Sequence, residues 1–377
     1  MAWLSMRSAT DRTHSAKGAA VAESILILTE DEDLLDDLLR LCAAAGAQAE
    51  VAPGPPVAAG RWERAPLVLV GDDRAAALSA AGQWPGRRPG VLLVGRDLDD
   101  HTVWARGVAL GAEQVLHLPA DEPWLADRIA DAVERPGPPA LTIGVLGGRG
   151  GAGASSLACG LAVTAAAKGR RSTLIDADPL GGGLDMLLGG ERTPGPRWPA
   201  FVSARGRLSG AALEDSLPLL HGVSLLSWDR ADSASLPAEA MCTVLTAARR
   251  RGGVVVVDLP RSADPAAAEA LAQLDLGLLV VPGELRAAAG AQRVVATAGA
   301  LVRDLRIVAR PAGGGGLAPA ELARLLGLPL AGELPDEPGL PAAADAGEPP
   351  GTDGRGALAR FCAELLERAL PAAGAAV

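Results

Sequence analysis

The chain reads as two consecutive α/β units, each a mainly parallel, doubly wound sheet with helices on both faces. Three observations predict this. Short runs of Val, Ile and Leu alternate with stretches whose apolar residues recur at helical spacing. In the second half the runs are apolar throughout, as in strands buried on both faces. The alternation is interrupted by the Pro-rich "ERPGPPA" (134–140) and then restarts.

Taken in order, residues 1–22 have no continuous apolar core and read as a flexible tail, not a signal peptide. "ILIL" (25–28) is the first strand, and leucines 34, 35, 38, 39 and 41 place a helix after it. "LVLV" (67–70), "VLLV" (91–94) and "QVLHL" (114–118) follow as strands, giving a sheet of about five strands over residues 23–135. Residues 136–140 form a linker. The larger unit, 141–377, opens with the strand "LTIGVLGG", a Gly-rich loop and the helix "SSLACGLAVTAAAKG". The strand "STLIDADP", an irregular region to about Leu208 and a helix over Ala238–Arg250 come next. The strands "GVVVVDLP", "LGLLVVPG", "LRIVARP" and "PLAGELP" precede a last helix near 357–370.

Composition narrows the function classes. A formal charge of −10 over 377 residues disfavours a general electrostatic grip on DNA or anionic lipid. With no Tyr and two Phe, a base-stacking platform is not expected. Four cysteines far apart, without C-x-x-C spacing, read as buried residues of a reducing compartment and suggest neither disulfides nor zinc. The longest mainly apolar run, "LDLGLLVV" (274–281), is too short for a bilayer, so cytoplasm is the expectation.

The chemistry concentrates in "GGRGGAGASS" (147–156). Gly148 to Ser155 nearly matches G-x-x-x-x-G-K-[ST], in which backbone N–H groups and a helix N-terminus cradle phosphate and a hydroxyl holds Mg²⁺. Ala154 occupies the lysine position. Gly148, Gly150 and Gly153 also spell G-x-G-x-x-G, with Asp176 ending the next strand, so an NAD(P)-binding oxidoreductase is an alternative. Ser155 and Ser156 at the helix start, Asp178 beside Asp176 and Asp258 after "VVVV" argue against it, as does the lack of Tyr for a Tyr-x-x-x-Lys reductase. The bland reading is a glycine turn with no ligand, yet so many aligned glycines are costly to order without a reason.

Together with "LIDADPLGGGLD", "LLVVPGE" and "GELPDEPGL", the loop resembles the deviant Walker loop of the MinD and ParA ATPases, and the likeness runs from Leu141 to the C-terminus. The resemblance implies that Gly148, Gly150, Gly151, Gly153, Ala154, Ser155 and Ser156 bind nucleotide and that Arg149 falls on the signature lysine. It implies Asp176 and Asp178 as catalytic switch residues, Ser155, Asp176 and Asp258 as Mg²⁺ ligands, and Arg310 near the base. A flavodoxin-like, receiver-like domain ahead of such a P-loop domain resembles the CpaE and TadZ branch, whose actinobacterial members include septum site-determining proteins. The implied cofactor is ATP or ADP with Mg²⁺, bound weakly and hydrolysed slowly if at all. A competent ATPase of the same fold is the alternative. The implied partners are a second copy of the chain and proteins of division, pilus or secretion machinery, met at the septum or pole.

The N-terminal domain departs from a working receiver. Gly71 holds the phosphoacceptor position with Asp72 one residue late, Gly95 ends the fourth strand, and Leu118 stands where receivers carry Lys. It reads as a pseudoreceiver. Two basic runs, 168–171 and 247–253, suit helix C-termini better than DNA. The last helix carries Leu358, Phe361, Leu365 and Leu366 on one face, suited to closing a core or to peripheral membrane contact. Trp198 and Phe201, set among Pro and Arg, offer either a partner surface or a tether packed on the domain.

Overall fold

The computed structural model describes residues 24–52, 61–81, 87–97, 100–133, 139–202, 208–230, 235–262, 264–312 and 315–370. The expected tail, and residues 136–138 of the expected linker, lie outside the described residues. The chain divides into two compact units, 1–133 and 134–377.

In the first unit the order is β1 (Ile25–Leu28), α1 (Glu32–Ala44), β2 (Ala49–Val51), β3 (Val68–Gly71), α2 (Asp72–Ala81), β4 (Val91–Gly95), α3 (Val103–Leu110), β5 (Gln114–His117) and α4 (Glu122–Val133). Asp31 starts α1 by accepting a hydrogen bond from the Leu34 N–H at 3.1 Å. The sheet order is β2-β1-β3-β4-β5, with every pairing parallel. Strand alternation sorts the core: Ile25, Ile27 and Leu69 pack on one face, Leu26, Leu28, Val68 and Val70 on the other.

The second unit runs β6 (Leu141–Gly147), α5 (Ala154–Ala167), β7 (Ser172–Asp176), α6 (Leu184–Leu187), α7 (Trp198–Val202), α8 (Gly210–Ser216), β8 (Leu219–Leu220) and β9 (Val223–Leu226). It continues with α9 (Ala238–Arg250), β10 (Val254–Asp258), α10 (Pro265–Ala272), β11 (Leu276–Pro282), α11 (Leu285–Ala298), β12 (Leu305–Arg310), α12 (Pro319–Leu326), β13 (Leu330–Glu333), α13 (Leu340–Asp345) and α14 (Ala357–Ala369). The eight-stranded order is β13-β12-β11-β6-β10-β7-β9-β8, parallel except for the β8 and β9 pair.

Topology sets the site. β6 is central, between β11 and β10, and β10 lies next to β7 with Asp258 opposite Asp176. The phosphate-type loop and both aspartates therefore emerge together at the carboxyl ends of adjacent parallel strands, the usual place for a ligand crevice. The apolar face of α14 is occupied: Leu358, Phe361, Leu365 and Leu366 are all buried, and a side chain at Gly160 of α5 would meet Leu358 at 3.0 Å. This helix closes the core. Among the described residues no helix is long and apolar enough to cross a membrane.

Candidate nucleotide site

Residues 147–153 turn from β6 into α5. The Gly148 N–H donates to the Val280 carbonyl at 2.8 Å, and an added Cβ there would meet Ala291 at 3.1 Å, so the loop lies tight against β11 and α11. Gly153 has φ +95°, and a Cβ on it would come within 2.7 Å of Arg310 Nη1. Only glycine suits that position. Gly150, by contrast, has nothing within 4 Å of where a Cβ would sit, so the loop's outer backbone is open. No side chain caps α5, which leaves its first N–H groups, at Ala154, Ser155 and Ser156, directed to whatever fills the crevice.

The carboxylates differ in their tasks. Asp176 is buried and saturated: it accepts from Ser227 Oγ at 2.8 Å, the Leu184 N–H at 3.1 Å and the Asp178 N–H at 3.3 Å. Its carbonyl accepts from Trp198 Nε1 at 2.6 Å. Burial pushes its carboxyl up to about 6, against the pull of those hydrogen bonds. Asp258 is also pushed up to about 7 by burial, the Ser155 hydroxyl opposing this by donating to it. Asp178 is half-buried, accepts from the Leu180 N–H at 3.0 Å, and lines the main crevice.

That crevice has a volume of about 570 Å³. It is lined by the loop, Ser155, Asp178 and Asp258 and also by Leu334, Pro335, Glu337, Leu340, Pro341 and Asp345 of the proline-rich segment. Its size and its mixed polar and apolar lining fit a nucleotide. Asp176 lies instead on a smaller cavity of about 190 Å³ shared with Ser155 and Asp258. Of the two expected switch aspartates, only Asp178 thus lines the larger crevice. Among the described residues no group of three or more His, Cys, Asp or Glu is arranged to hold a metal. The Ser155 hydroxyl and Asp258, which are hydrogen-bonded to each other, fit a Mg²⁺ that takes its remaining ligands from phosphate and water, whereas the Asp176 oxygens are already engaged with Ser227, Leu184 and Asp178.

Three arginines line the crevice. Arg149 donates to Glu284 Oε1 and to the Gly150 carbonyl, each at 3.0 Å. Arg310 donates to the Ala152 carbonyl at 3.1 Å and pairs with Asp336, so it braces the loop from below Gly153. Arg261, which sequence reasoning missed, is exposed. Glu284, Ser227 and the Trp198 contact were also missed, because each matters through a partner far away in the chain. Trp198 and Phe201 are buried, which makes this stretch a tether; residues 203–207 lie outside the described residues.

The expected basic surfaces are largely neutralised. Arg171 and Arg251 share Glu214, Arg249 pairs with Asp275, and Lys168 pairs with Glu367. In the first unit, a side chain at Gly71 would fall 2.3 Å from Asp73 Oδ1. Asp73 fills the space a phosphoacceptor would use and accepts from Thr29 Oγ1 and the Glu30 N–H, each at 2.8 Å.

Comparison with known proteins agrees with this geometry. The family described as the CobQ/CobB/MinD/ParA nucleotide binding domain matches residues 143–350, and the Rv3660c-like, CheY-like N-terminal domain matches residues 28–140. The chain is 37% identical over 314 residues to the protein Rv3660c of Mycobacterium tuberculosis, covering 82% of this chain and 88% of that one. It is 26% identical over 225 residues to the septum site-determining protein MinD of Helicobacter pylori, covering 56% of this chain and 83% of MinD. The MinD cell division protein of Aquifex aeolicus shares the fold at a TM-score of 0.52 and 21% identity, over 62% of this chain and 99% of that one. The chain belongs to the MinD/ParA family of P-loop nucleotide-binding proteins and carries an Rv3660c-like, CheY-like domain ahead of the P-loop domain.

Proposed function

We propose that the chain is a CpaE- or Ssd-like spatial regulator, acting in septum placement or in Tad-type pilus and secretion assembly. Its P-loop domain, 141–377, binds ATP or ADP with Mg²⁺ weakly and hydrolyses it slowly or not at all. The observation that carries this reading is Ala154 at the lysine position of a loop that otherwise keeps its turn, its open helix N-terminus and its Ser155 to Asp258 hydrogen bond.

In this reading the loop N–H groups and the start of α5 hold the phosphates, and the proline-rich end of the crevice takes the base. Bound Mg²⁺ would neutralise phosphate charge from the side of Ser155 and Asp258. Asp178 would orient water. Hydrolysis would suffer most from Ala154, since charge on the transferring phosphoryl is greatest in the transition state. The protein would then act as a homodimer that docks partner proteins at the septum or pole, with residues 23–135 as a pseudoreceiver interaction module. The filled phosphoacceptor space at Gly71 supports that role.

The NAD(P) reading loses its main residue. Asp176 would have to bind ribose hydroxyls, but its oxygens are buried and already engaged with Ser227 and Leu184. Thermal melting tests the proposal. Saturating ATP or ADP with Mg²⁺ at about 100 times Kd would stabilise the fold by about 2.7 kcal/mol, and NAD(P) would not. Stabilisation by NAD(P) alone would overturn it.

A further inference from the structure

We infer that Arg261 is the cation that this chain uses on the phosphate end of a nucleoside di- or triphosphate, in the place of the charge Ala154 lacks. The inference rests on the nucleotide-binding reading and names the residue that makes it work.

Two of the three arginines in the crevice are already engaged. Arg149 is drawn to Glu284 and to the backbone of Gly150. Arg310 is fixed between Asp336 and the Ala152 carbonyl, under a glycine that it nearly touches. Arg261 has no hydrogen-bond or ion-pair partner among the described residues, although Asp178 and Asp258 line the same crevice. A charged side chain left free in a concave site beside a phosphate-type loop is a binding group awaiting its anion.

Its position is also fixed by the sheet. The Asp258 carbonyl accepts from the Ala177 N–H, and the Leu259 N–H donates to the Val145 carbonyl, each at 2.9 Å. The segment bearing Arg261 therefore leaves β10 tied to both β7 and β6, the strand that feeds the loop. Arg261 thus follows Asp258 by three residues and lines the same crevice as the loop and Ser155.

Equilibrium binding of a fluorescent ADP analogue with Mg²⁺, displaced by ATP, ADP or AMP, tests this on the full chain. Arg261→Ala is expected to weaken ADP and ATP about tenfold to a hundredfold, as for loss of a hydrogen bond to a charged group. AMP should lose much less. Arg261→Lys should keep part of the affinity, and adding Ala154→Lys to Arg261→Ala should restore it. Because Arg261 is exposed, melting temperature should not change. If the unmodified chain binds nucleotide and Arg261→Ala binds equally well, the assignment of Arg261 fails alone. Equal losses for AMP and ATP without rescue by Ala154→Lys would also overturn it. If the unmodified chain binds no nucleotide, the underlying reading fails with it.

Discussion

Asp258 shows how a single buried side chain ties this site to pH. Its folded-state carboxyl is pushed up to about 7 by burial, above its value in an unfolded chain. An acid raised in this way favours the folded state only while protonated. Its contribution is intact below the unfolded value near 4 and is lost as pH rises through about 7. Asp258→Asn mimics the neutral form. Melting in a metal-free buffer should show the variant gaining on the unmodified chain more at pH 8 than at pH 5; a constant difference would contradict the assigned shift. Gly153 makes a second residue-scale case. Gly153→Ala must adopt φ +95° and push against Arg310, so denaturation should show a loss of at least about 1–2 kcal/mol. Unchanged stability would mean the loop is built differently.

At the scale of elements, the segment after β7 is held by one tryptophan. Trp198 of α7 is fully buried and donates to the Asp176 carbonyl, coupling the irregular stretch to the end of β7. Trp198→Ala should cost about 3–5 kcal/mol in chemical denaturation, a cavity plus a lost hydrogen bond; a loss below about 1 kcal/mol would return this stretch to the surface. The same scale shows what the sequence makes legible. β6, β10 and β11 are read directly because their Val, Leu and Ile runs are apolar on both faces, as only buried strands are. β2 escapes because it is three residues long, with Glu50 in the middle and Val51 exposed, and β9 because Ser224 interrupts a four-residue run behind a His221–Gly222 turn. α14 shows periodicity without its partner: the stripe is visible, but only α5 packed against it distinguishes a core helix from a membrane-facing one.

For the whole molecule, family membership was legible because glycine spacing, Ser155 and the aspartates are coded locally and the sheet order merely brings them together. What each charge does was not legible. Arg149 and Arg310 become engaged through Glu284 and Asp336, which are distant in sequence from the loop, and Arg261 stands out only once those pairs are known. The central claim is that the fold keeps a nucleotide site while the missing lysine removes most of its turnover. Steady-state ATP hydrolysis by the full chain with Mg²⁺, measured beside Ala154→Lys at nucleotide concentrations that saturate both, tests it most directly. Turnover near background in the unmodified chain, rising by at least about tenfold in Ala154→Lys, is the predicted result. Robust turnover by the unmodified chain would contradict the account.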